Sequence, residues 1–143
     1  MYMVDVETLV PQRPPFLFID HIVDANEKEI IGEKTYGHLF PFAQNCPEHG
    51  KIVPGALLVE SIVQCGGAGV TQMNLVKESL WGLASLEKVH FYGSVPLGST
   101  VRMQVRNLKV TNRVLRQTGT AFVDGERVLE ATWLCLVLKA GGK

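Results

Sequence analysis

Residues 52–64 constrain the fold most, because they combine a helix start with an almost wholly apolar run that contains one acid and one amide. Pro54 suits the first position of a helix, where its missing N–H is not needed. The Gly55 amide is then free at the positive end of the helix, where it can hold a developing oxyanion. Glu60 and Gln64 are one turn apart and share a face. The sequence therefore predicts a buried helix that points two polar groups into an apolar setting.

Composition limits the classes of protein to which the chain can belong. Its 143 residues are 46% hydrophobic, which predicts one domain over residues 1–143. Lys+Arg and Asp+Glu are both 14, so charge gives no support for binding to nucleic acid or to a membrane surface. No run approaches the roughly 18 apolar residues of a membrane span. The three cysteines, Cys46, Cys65 and Cys135, form neither a disulfide framework nor a zinc spacing, so we expect a cytoplasmic protein.

The rest of the chain is predicted to be mainly β-structure. Asp5 caps a short helix, residues 16–23 and 29–35 form two strands, and residues 36–53 are irregular. Four longer strands follow the helix, over residues 81–95, 100–110, 114–123 and 127–138. An antiparallel sheet wrapped around one long central helix, in the α+β class, is the simplest arrangement of these elements.

Three glycines, Gly66, Gly67 and Gly69, lie inside the predicted helix. Each costs about 1 kcal/mol of helix stability relative to alanine. We expect a close approach of sheet backbone to the helix to offset this cost. The alternative is that the helix ends there in a loop.

Two motifs and a turn carry a resemblance to a known family. Residues 9–20, LVPQRPPFLFID, are similar to the motif LPHRYPFLLVD, with Gln12 where that motif usually has His. Residues 53–64, VPGALLVESIVQ, are similar to MPGVLIIEALAQ, and residues 95–99 are similar to a VVPGD turn. Over nearly its whole length the chain resembles the hotdog-fold β-hydroxyacyl-acyl-carrier-protein dehydratases of the FabZ type.

The resemblance implies removal of water from a (3R)-3-hydroxyacyl thioester, giving the trans-2-enoyl thioester in fatty-acid or related lipid synthesis, without a cofactor. In the family, a His of one subunit takes the Cα proton, and the helix acid of the other subunit handles the departing hydroxyl. Glu60 matches that acid, and a carboxyl group in an apolar site has a raised pKa and can stay protonated to donate. The amide that matches Gly55 would polarise the thioester carbonyl. A homodimer or trimer of dimers is implied, with acyl carrier protein bringing the substrate.

The acyl chain would lie in an apolar tunnel beside the helix. The aromatic candidates to line this tunnel are Phe16, Phe18, Phe40, Phe42 and Phe91, and Gln64 and Cys46 are further candidates for substrate contact. The family often docks its acidic carrier with arginines, which residues 90–94 lack. Substitutes are Lys88 nearby and Lys51, Arg113 and Arg116 elsewhere.

The sequence offers three candidates for the base that takes the Cα proton: His49, Cys46 and His38. Counting back from Pro54 without gaps places Cys46 where the family has its His, and His49 lies three residues closer to the helix. Imidazole is the natural base near neutral pH, whereas a free thiol is mostly protonated, so His49 is the first candidate and Cys46 the weaker one. His38 requires an insertion in the loop. Two ligands at the spacing of Cys46 and His49 fall short of a zinc site, so no metal is expected.

Two further functions stay open beside the dehydratase. A hotdog thioesterase would release free acid and thiol from the same kind of thioester. A non-catalytic partner would form a heteromer with a paralogue that carries the intact family motif. The retained Glu60 and Gln64 favour the dehydratase.

Overall fold

The computed structural model describes residues 4–76 and 79–140. Its elements are, in chain order, a 3-10 turn (Val6–Thr8), β1 (His21–Ala25), β2 (Glu29–Thr35), β3 (Gln44–Cys46), β4 (Gly50–Ile52), α1 (Gly55–Gln72), β5 (Ser79–Phe91), β6 (Thr100–Val110), β7 (Val114–Val123) and β8 (Glu126–Ala140). Six strands form an antiparallel sheet in the order β1-β2-β6-β7-β8-β5, and β3 pairs with β4 in a separate hairpin. The ends of the predicted domain, residues 1–3 and 141–143, lie outside the described residues.

The core lies between α1 and the inner face of the six-stranded sheet. Along β6, the buried Val101, Met103 and Val105 alternate with exposed polar residues, as the period of two in a half-covered strand requires. Ile62 and Cys65 of α1 are completely buried against this face. The predicted architecture, an antiparallel sheet wrapped around one long helix, is therefore confirmed. No described helix combines the length and the apolarity that crossing a membrane requires.

The glycines of α1 lie where the sheet approaches the helix most closely. A Cβ atom on Gly66 would lie 2.1 Å from Oε1 of the buried Gln117, and one on Gly69 would lie 2.5 Å from Ile30 Cγ1. A Cβ atom on Gly67 would meet nothing within 4 Å. The predicted close approach of sheet backbone is therefore wrong: Gly66 and Gly69 instead leave room for the side chains of Gln117 and Ile30. The helix continues to Gln72.

Alanine substitution separates the crowded glycines from the open one. We expect Gly69→Ala to lower the free energy of unfolding by about 2 kcal/mol, because overpacking against the buried Ile30 outweighs the gain in helix propensity. Gly67→Ala should raise it by about 0.5 to 1 kcal/mol, since the added methyl group meets open space. Urea unfolding of both variants measures the difference. Equal effects of the two changes would contradict the packing described here.

Four details differ from the sequence predictions. The strand predicted over residues 81–95 begins at Ser79 and ends at Phe91. Pro54 is the N-cap, with an extended ψ of 139°, so helical dihedral angles begin one residue later, at Gly55. The predicted strand over residues 16–23 is wrong at residues 16–20. Backbone groups of Phe16 and Phe18 bond to the Gln64 side chain of α1, and contact with the neighbouring strand begins only where the Asp20 amide donates to the Glu33 carbonyl. The hairpin of β3 and β4 lies within residues 36–53, which were predicted to be irregular.

The edge strand β5 carries an apolar row that its own chain leaves uncovered. Leu83, Leu86, Val89 and Phe91 are each between 36% and 47% exposed. Their partners on β8 are all buried: Cys135, Trp133, Ala131 and Leu129. Paired residues of an antiparallel ladder share a face, so the β5 row extends the core face of the sheet beyond the region that α1 covers.

Candidate active site

Gln64 holds the carboxyl group of Glu60 from one turn further along α1. Its Nε2 donates to Glu60 Oε1 over 2.9 Å and to the Phe16 carbonyl over 3.0 Å. Its Oε1 accepts from the Phe18 N–H over 2.7 Å. The backbone donor and acceptor fix which way the buried carboxamide points, so its N–H groups face Glu60. Glu60 Oε1 must then be an acceptor, and a proton on this carboxyl group is carried by Oε2.

The segment that anchors Gln64 is itself tied to α1. Ser61 Oγ, completely buried, donates to the Phe18 carbonyl over 2.5 Å. Phe18 is buried, and Phe16 stacks on Phe42 with ring centroids 5.2 Å apart. The backbone at Phe16 and Phe18 thus satisfies its polar groups through helix side chains, as buried backbone must. This arrangement holds Gln64, and through it Glu60, in one position.

A cavity of about 200 Å³ lies beside Glu60 and Gln64. Gly67 and Thr71 also line it, so it follows one face of α1 over a rise of about 16 Å. The other walls come from residues 9–12 and from the side chains Val63, Trp81, Leu83, Leu115 and Cys135. The cavity is therefore mainly apolar, with the acid near the end that faces the start of the helix.

The thiol of Cys135, on β8, lines the same cavity as the acid. Burial, with the Glu60 carboxylate as a smaller cause, raises the pKa of Cys135 to about 11. Burial also raises the pKa of Tyr36, which is influenced by the same carboxylate, to about 12. Both groups are consequently neutral near pH 7 and supply no competing charge beside Glu60.

The phenylalanines that the sequence suggests as tunnel lining lie elsewhere in this chain. Phe18 is in the core, Phe16 lies exposed against Phe42, and Phe91 lies over the start of α1. None of the three is among the residues that line the Glu60 cavity. Their contact with a substrate stays a prediction. Trp81 and Leu115 line the Glu60 cavity, and the sequence did not indicate this. Each lies in a predicted strand, and the strand pattern gave no sign that either side chain faces a cavity.

Gly55 begins α1 directly beneath Phe91. A Cβ atom at this position would lie 2.9 Å from Phe91 Cζ, so a side chain at residue 55 would require the Phe91 ring to shift. The Pro54 carbonyl accepts from the amides of Leu57 and Leu58, and no acceptor for the Gly55 amide is found in the described part of the chain. This first amide of the helix is therefore a free donor beside an aromatic ring, at the positive end of the helix dipole.

The hairpin of β3 and β4 brings Cys46 and His49 to the two ends of one turn. The His49 amide donates to the Cys46 carbonyl over 3.1 Å, and such a turn keeps the two Cα atoms within about 7 Å. His49 is exposed and Cys46 is half-buried. Neither lines the Glu60 cavity of its own chain. His38, the third candidate, packs against the turn at Gly98, where its Nε2 would lie 3.0 Å from an added Cβ.

A group of charged and aromatic side chains lies on the outer face of the sheet, opposite the row that contains Phe91. Glu130 accepts from Tyr92 Oη over 2.5 Å and from Arg127 over 2.6 Å. The Arg127 guanidinium lies 3.9 Å from the centre of the Tyr92 ring. The His90 ring stacks on the same Tyr92 ring, with the ring centroids 4.2 Å apart. The hydrogen bond from Tyr92, together with the charges of Arg127, Lys88 and His90, lowers the pKa of Glu130. We call these five residues the β5–β8 patch.

Arg116, one of the expected substitutes for the family's docking arginines, is already paired. It donates to both carboxylate oxygens of Glu87, over 2.6 to 3.0 Å. Arg127, which the sequence did not single out, is the arginine of the β5–β8 patch, where it contacts Tyr92 and Glu130. Only the pairing of β5 with β8 brings these residues together, so no local signal could have found Arg127.

Comparison with known sequences identifies the family. A family model described as a FabA-like domain matches residues 10–132. The 3-hydroxyacyl-[acyl-carrier-protein] dehydratase FabZ of Xanthomonas euvesicatoria pv. vesicatoria is 32% identical over 135 residues, which cover 91% of this chain and 88% of that protein. The protein of the same name from Koribacter versatilis is 32% identical over 143 residues, covering 99% and 92%.

Solved structures share the architecture at lower sequence identity. A chain of the dehydratase heterocomplex ApeI:P from Xenorhabdus doucetiae superposes with a TM-score of 0.82 at 16% identity, covering 96% of this chain and 92% of that one. A hypothetical thioesterase from Streptococcus pneumoniae, solved with coenzyme A, gives 0.63 at 10% identity, covering 84% and 86%. Together with the sequence matches, these observations show that the chain belongs to the FabA-like family, as a FabZ-type member with the hotdog fold.

Proposed function

We propose that this protein removes water from a (3R)-3-hydroxyacyl thioester to give the trans-2-enoyl thioester. The main support is the geometry of the Glu60 carboxyl group. Its Oε1 accepts a hydrogen bond from Gln64 Nε2, so Oε2 is the oxygen that can carry a proton and donate it. A base takes the Cα proton, the C–H electron pair forms the C2=C3 bond, and the C3–O bond breaks. The departing oxygen takes the Oε2 proton and leaves as water. The FabZ dehydratases that match this chain support the same reaction.

The Gly55 amide supports this chemistry from the start of α1. A thioester carbonyl placed on this amide would be polarised by the N–H and by the helix dipole. Polarisation makes the Cα proton more acidic, and the Phe91 ring beside Gly55 helps to keep water away. Gly55 therefore acts as the oxyanion donor of the proposal.

The base of the proposal is His49 of a second copy of the chain. No residue of the β3–β4 hairpin lines the Glu60 cavity of its own chain. A base on this hairpin would therefore act in the Glu60 cavity of the other subunit. His49 lies one turn away from Cys46, the position at which the family has its His. An imidazole at the end of that turn supports the assignment, because it is the group suited to proton abstraction near neutral pH.

The edge of β5 is where the second copy would bind. Pairing of two β5 strands would satisfy the free backbone groups of both edges and cover the apolar row that runs from Leu83 to Phe91. Leu83 also lines the Glu60 cavity, so a partner there would close the cavity from that side. A homodimer is the arrangement proposed, and a paralogue with a matching edge is the alternative occupant.

The β5–β8 patch is proposed to receive an acidic acyl carrier protein. The two positive charges of Lys88 and Arg127 outnumber the single carboxylate of Glu130. A partner with an acidic surface is complementary to this net positive charge. The patch lies on the same strand as Phe91, which covers the start of α1, so a carrier bound there would be near the proposed oxyanion donor.

Charge reversal in the patch tests the carrier proposal. We expect Arg127→Glu to raise KM about tenfold for a carrier-bound substrate while leaving KM for the pantetheine thioester unchanged, because only the carrier contacts the patch. The effect should shrink as salt is added. Arg106→Glu, an exposed change on β6, is the matched control. Equal effects on both substrates would show that the patch does not bind the carrier.

The free thiols support a cytoplasmic location. Cys46, Cys65 and Cys135 are all unpaired. Burial raises the pKa of Cys65 to about 12, which makes this thiol inert near neutral pH. Unpaired cysteines are typical of proteins from a reducing compartment.

The test of the function is product analysis with a 3-hydroxyacyl thioester of acyl carrier protein. The purified protein is incubated with this substrate, and enoyl thioester and free thiol are followed in parallel. Enoyl product without thiol is the expected result. Thiol release would instead identify a thioesterase, and the absence of any turnover would favour a non-catalytic partner of an active paralogue.

A further inference from the structure

Gly67 is a glycine in the interior of α1 for which the packing of the chain gives no reason. A Cβ atom on Gly66 or Gly69 would collide with the side chain of Gln117 or Ile30, whereas one on Gly67 would meet nothing within 4 Å in the described part of the chain. Glycine at such a position weakens a helix relative to alanine. The space beside Gly67 is therefore kept open at the expense of stability, and the benefit must come from what occupies it.

The space beside Gly67 belongs to the cavity that Glu60 lines. Glu60, Gln64, Gly67 and Thr71 all line this cavity, at the spacing of residues that share one face of a helix. Gly67 is partly accessible, whereas Gly66 and Gly69 are buried. A ligand in the cavity can therefore touch the backbone of α1 at Gly67, which has no side chain to cover it.

The wall around Gly67 is suited to an apolar ligand. Val63, Trp81 and Leu115 line the cavity with it. Thr71 Oγ1 donates to the Gly67 carbonyl over 2.9 Å, so these two polar groups are paired within the helix. A hydrocarbon chain that crosses Gly67 would consequently leave neither of them without a partner.

Space continues past Gly67 toward the end of α1. Four residues line both the Glu60 cavity and a second cavity of about 610 Å³: Leu9, Val10, Pro11 and Thr71. The second cavity extends to Asn74 and Val76, beyond the last residue of the helix. The far end of the Glu60 cavity thus borders open space, where the tail of a long chain can lie.

We infer that Gly67 determines how long an acyl chain this protein accepts, because the chain runs along α1 through the space that a side chain at residue 67 would fill. This inference rests on the proposed function, which places C3 of the substrate at Glu60. Gly67 lies seven residues further along the helix, a rise of about 10 Å that about eight carbon atoms of an extended chain span. Acyl chains of about ten carbons or fewer therefore end before Gly67, and longer chains cross it.

The test is equilibrium binding of two saturated acyl-pantetheine amides. They have no 3-hydroxyl group to lose, and N–H in place of the thioester sulfur resists hydrolysis. The octanoyl amide ends short of Gly67, whereas the tetradecanoyl amide crosses it. We expect Gly67→Leu to weaken binding of the tetradecanoyl amide at least about tenfold, because several methylene groups lose their place in the cavity, and to change binding of the octanoyl amide less than about twofold.

Two further variants complete the experiment. Gly67→Ala should weaken binding of the tetradecanoyl amide about threefold, since a single methyl group displaces less of the chain. Gly37→Leu makes the same change at an exposed glycine where an added Cβ atom would also meet nothing within 4 Å in the described part of the chain. This control should alter binding of neither amide.

Each outcome decides the inference. Equal weakening of both amides in Gly67→Leu would mean that the new side chain disturbs the site as a whole, and no weakening of either would mean that the chain does not pass Gly67; both results would overturn it. If Gly67→Leu does not fold, Gly67→Ala answers the same question, since equal affinities for each amide before and after that change would also overturn it. Binding does not depend on turnover, so an inactive protein that shows the length-dependent loss would refute the proposed reaction and keep the chain path over Gly67.

Discussion

Glu60→Gln is expected to lower kcat for dehydration by about 100- to 10,000-fold, the range typical of removing a general acid. The new amide has the shape of the old carboxyl group, and its oxygen can still accept from Gln64 Nε2. Packing around α1 is therefore preserved. What the variant lacks is an acidic proton on the atom that replaces Oε2, so the departing oxygen has no proton donor.

The assay for this variant is initial-rate formation of enoyl thioester, with the melting temperature measured on the same sample. Glu27→Gln, an exposed change in the turn between β1 and β2, is the matched control and should retain wild-type activity. An unchanged melting temperature with kcat within about tenfold of wild type would mean that Glu60 is not the acid.

His49→Ala is expected to have a similarly large effect, again about 100- to 10,000-fold on kcat. The imidazole is the group proposed to take the Cα proton, and alanine leaves nothing at the hairpin turn to replace it. Cys46→Ala should cost less than about tenfold, since the half-buried Cys46 thiol takes no proton in the proposed reaction. Steady-state kinetics of the two variants separate the two residues.

Moving the imidazole to the family position gives a sharper version of this test. In the His49→Ala background, Cys46→His should restore activity, because the two residues lie at opposite ends of one turn. His38→Ala is the control, since His38 packs against the turn at Gly98. Loss of activity in Cys46→Ala with full activity in His49→Ala would reverse the assignment.

Strands with clear alternation could be predicted to the residue from the sequence. Residues 29–35, 100–110 and 114–123 match β2, β6 and β7, because one covered face imposes a period of two on each strand. β3 and β4 have three residues each, too few for a period to be visible. The strand predicted in the N-terminal segment was wrong for a different reason. Its β-rich residues 16–20 predict a strand, but tertiary hydrogen bonds from Phe16 and Phe18 to α1 override that local preference.

The candidate site was predictable where it depends on helix geometry and unpredictable where it depends on distant contacts. The pairing of Glu60 with Gln64 follows from a spacing of four residues. The anchoring of Gln64 to Phe16 and Phe18 joins positions 46 and 48 apart in the chain, a separation for which periodicity gives no signal. Gln12 was visible only as a departure from the family motif. Its place on the cavity wall required the fold.

In the proposed enzyme, one active site takes Glu60 from one copy of the chain and His49 from another. The most direct measurement mixes Glu60→Gln chains with His49→Ala chains under conditions that exchange subunits, and then records dehydration. Random pairing makes half of the dimers mixed, each with one intact site of two, so about a quarter of wild-type activity should return. A mixture that forms mixed dimers yet stays as inactive as either variant alone would contradict the claim.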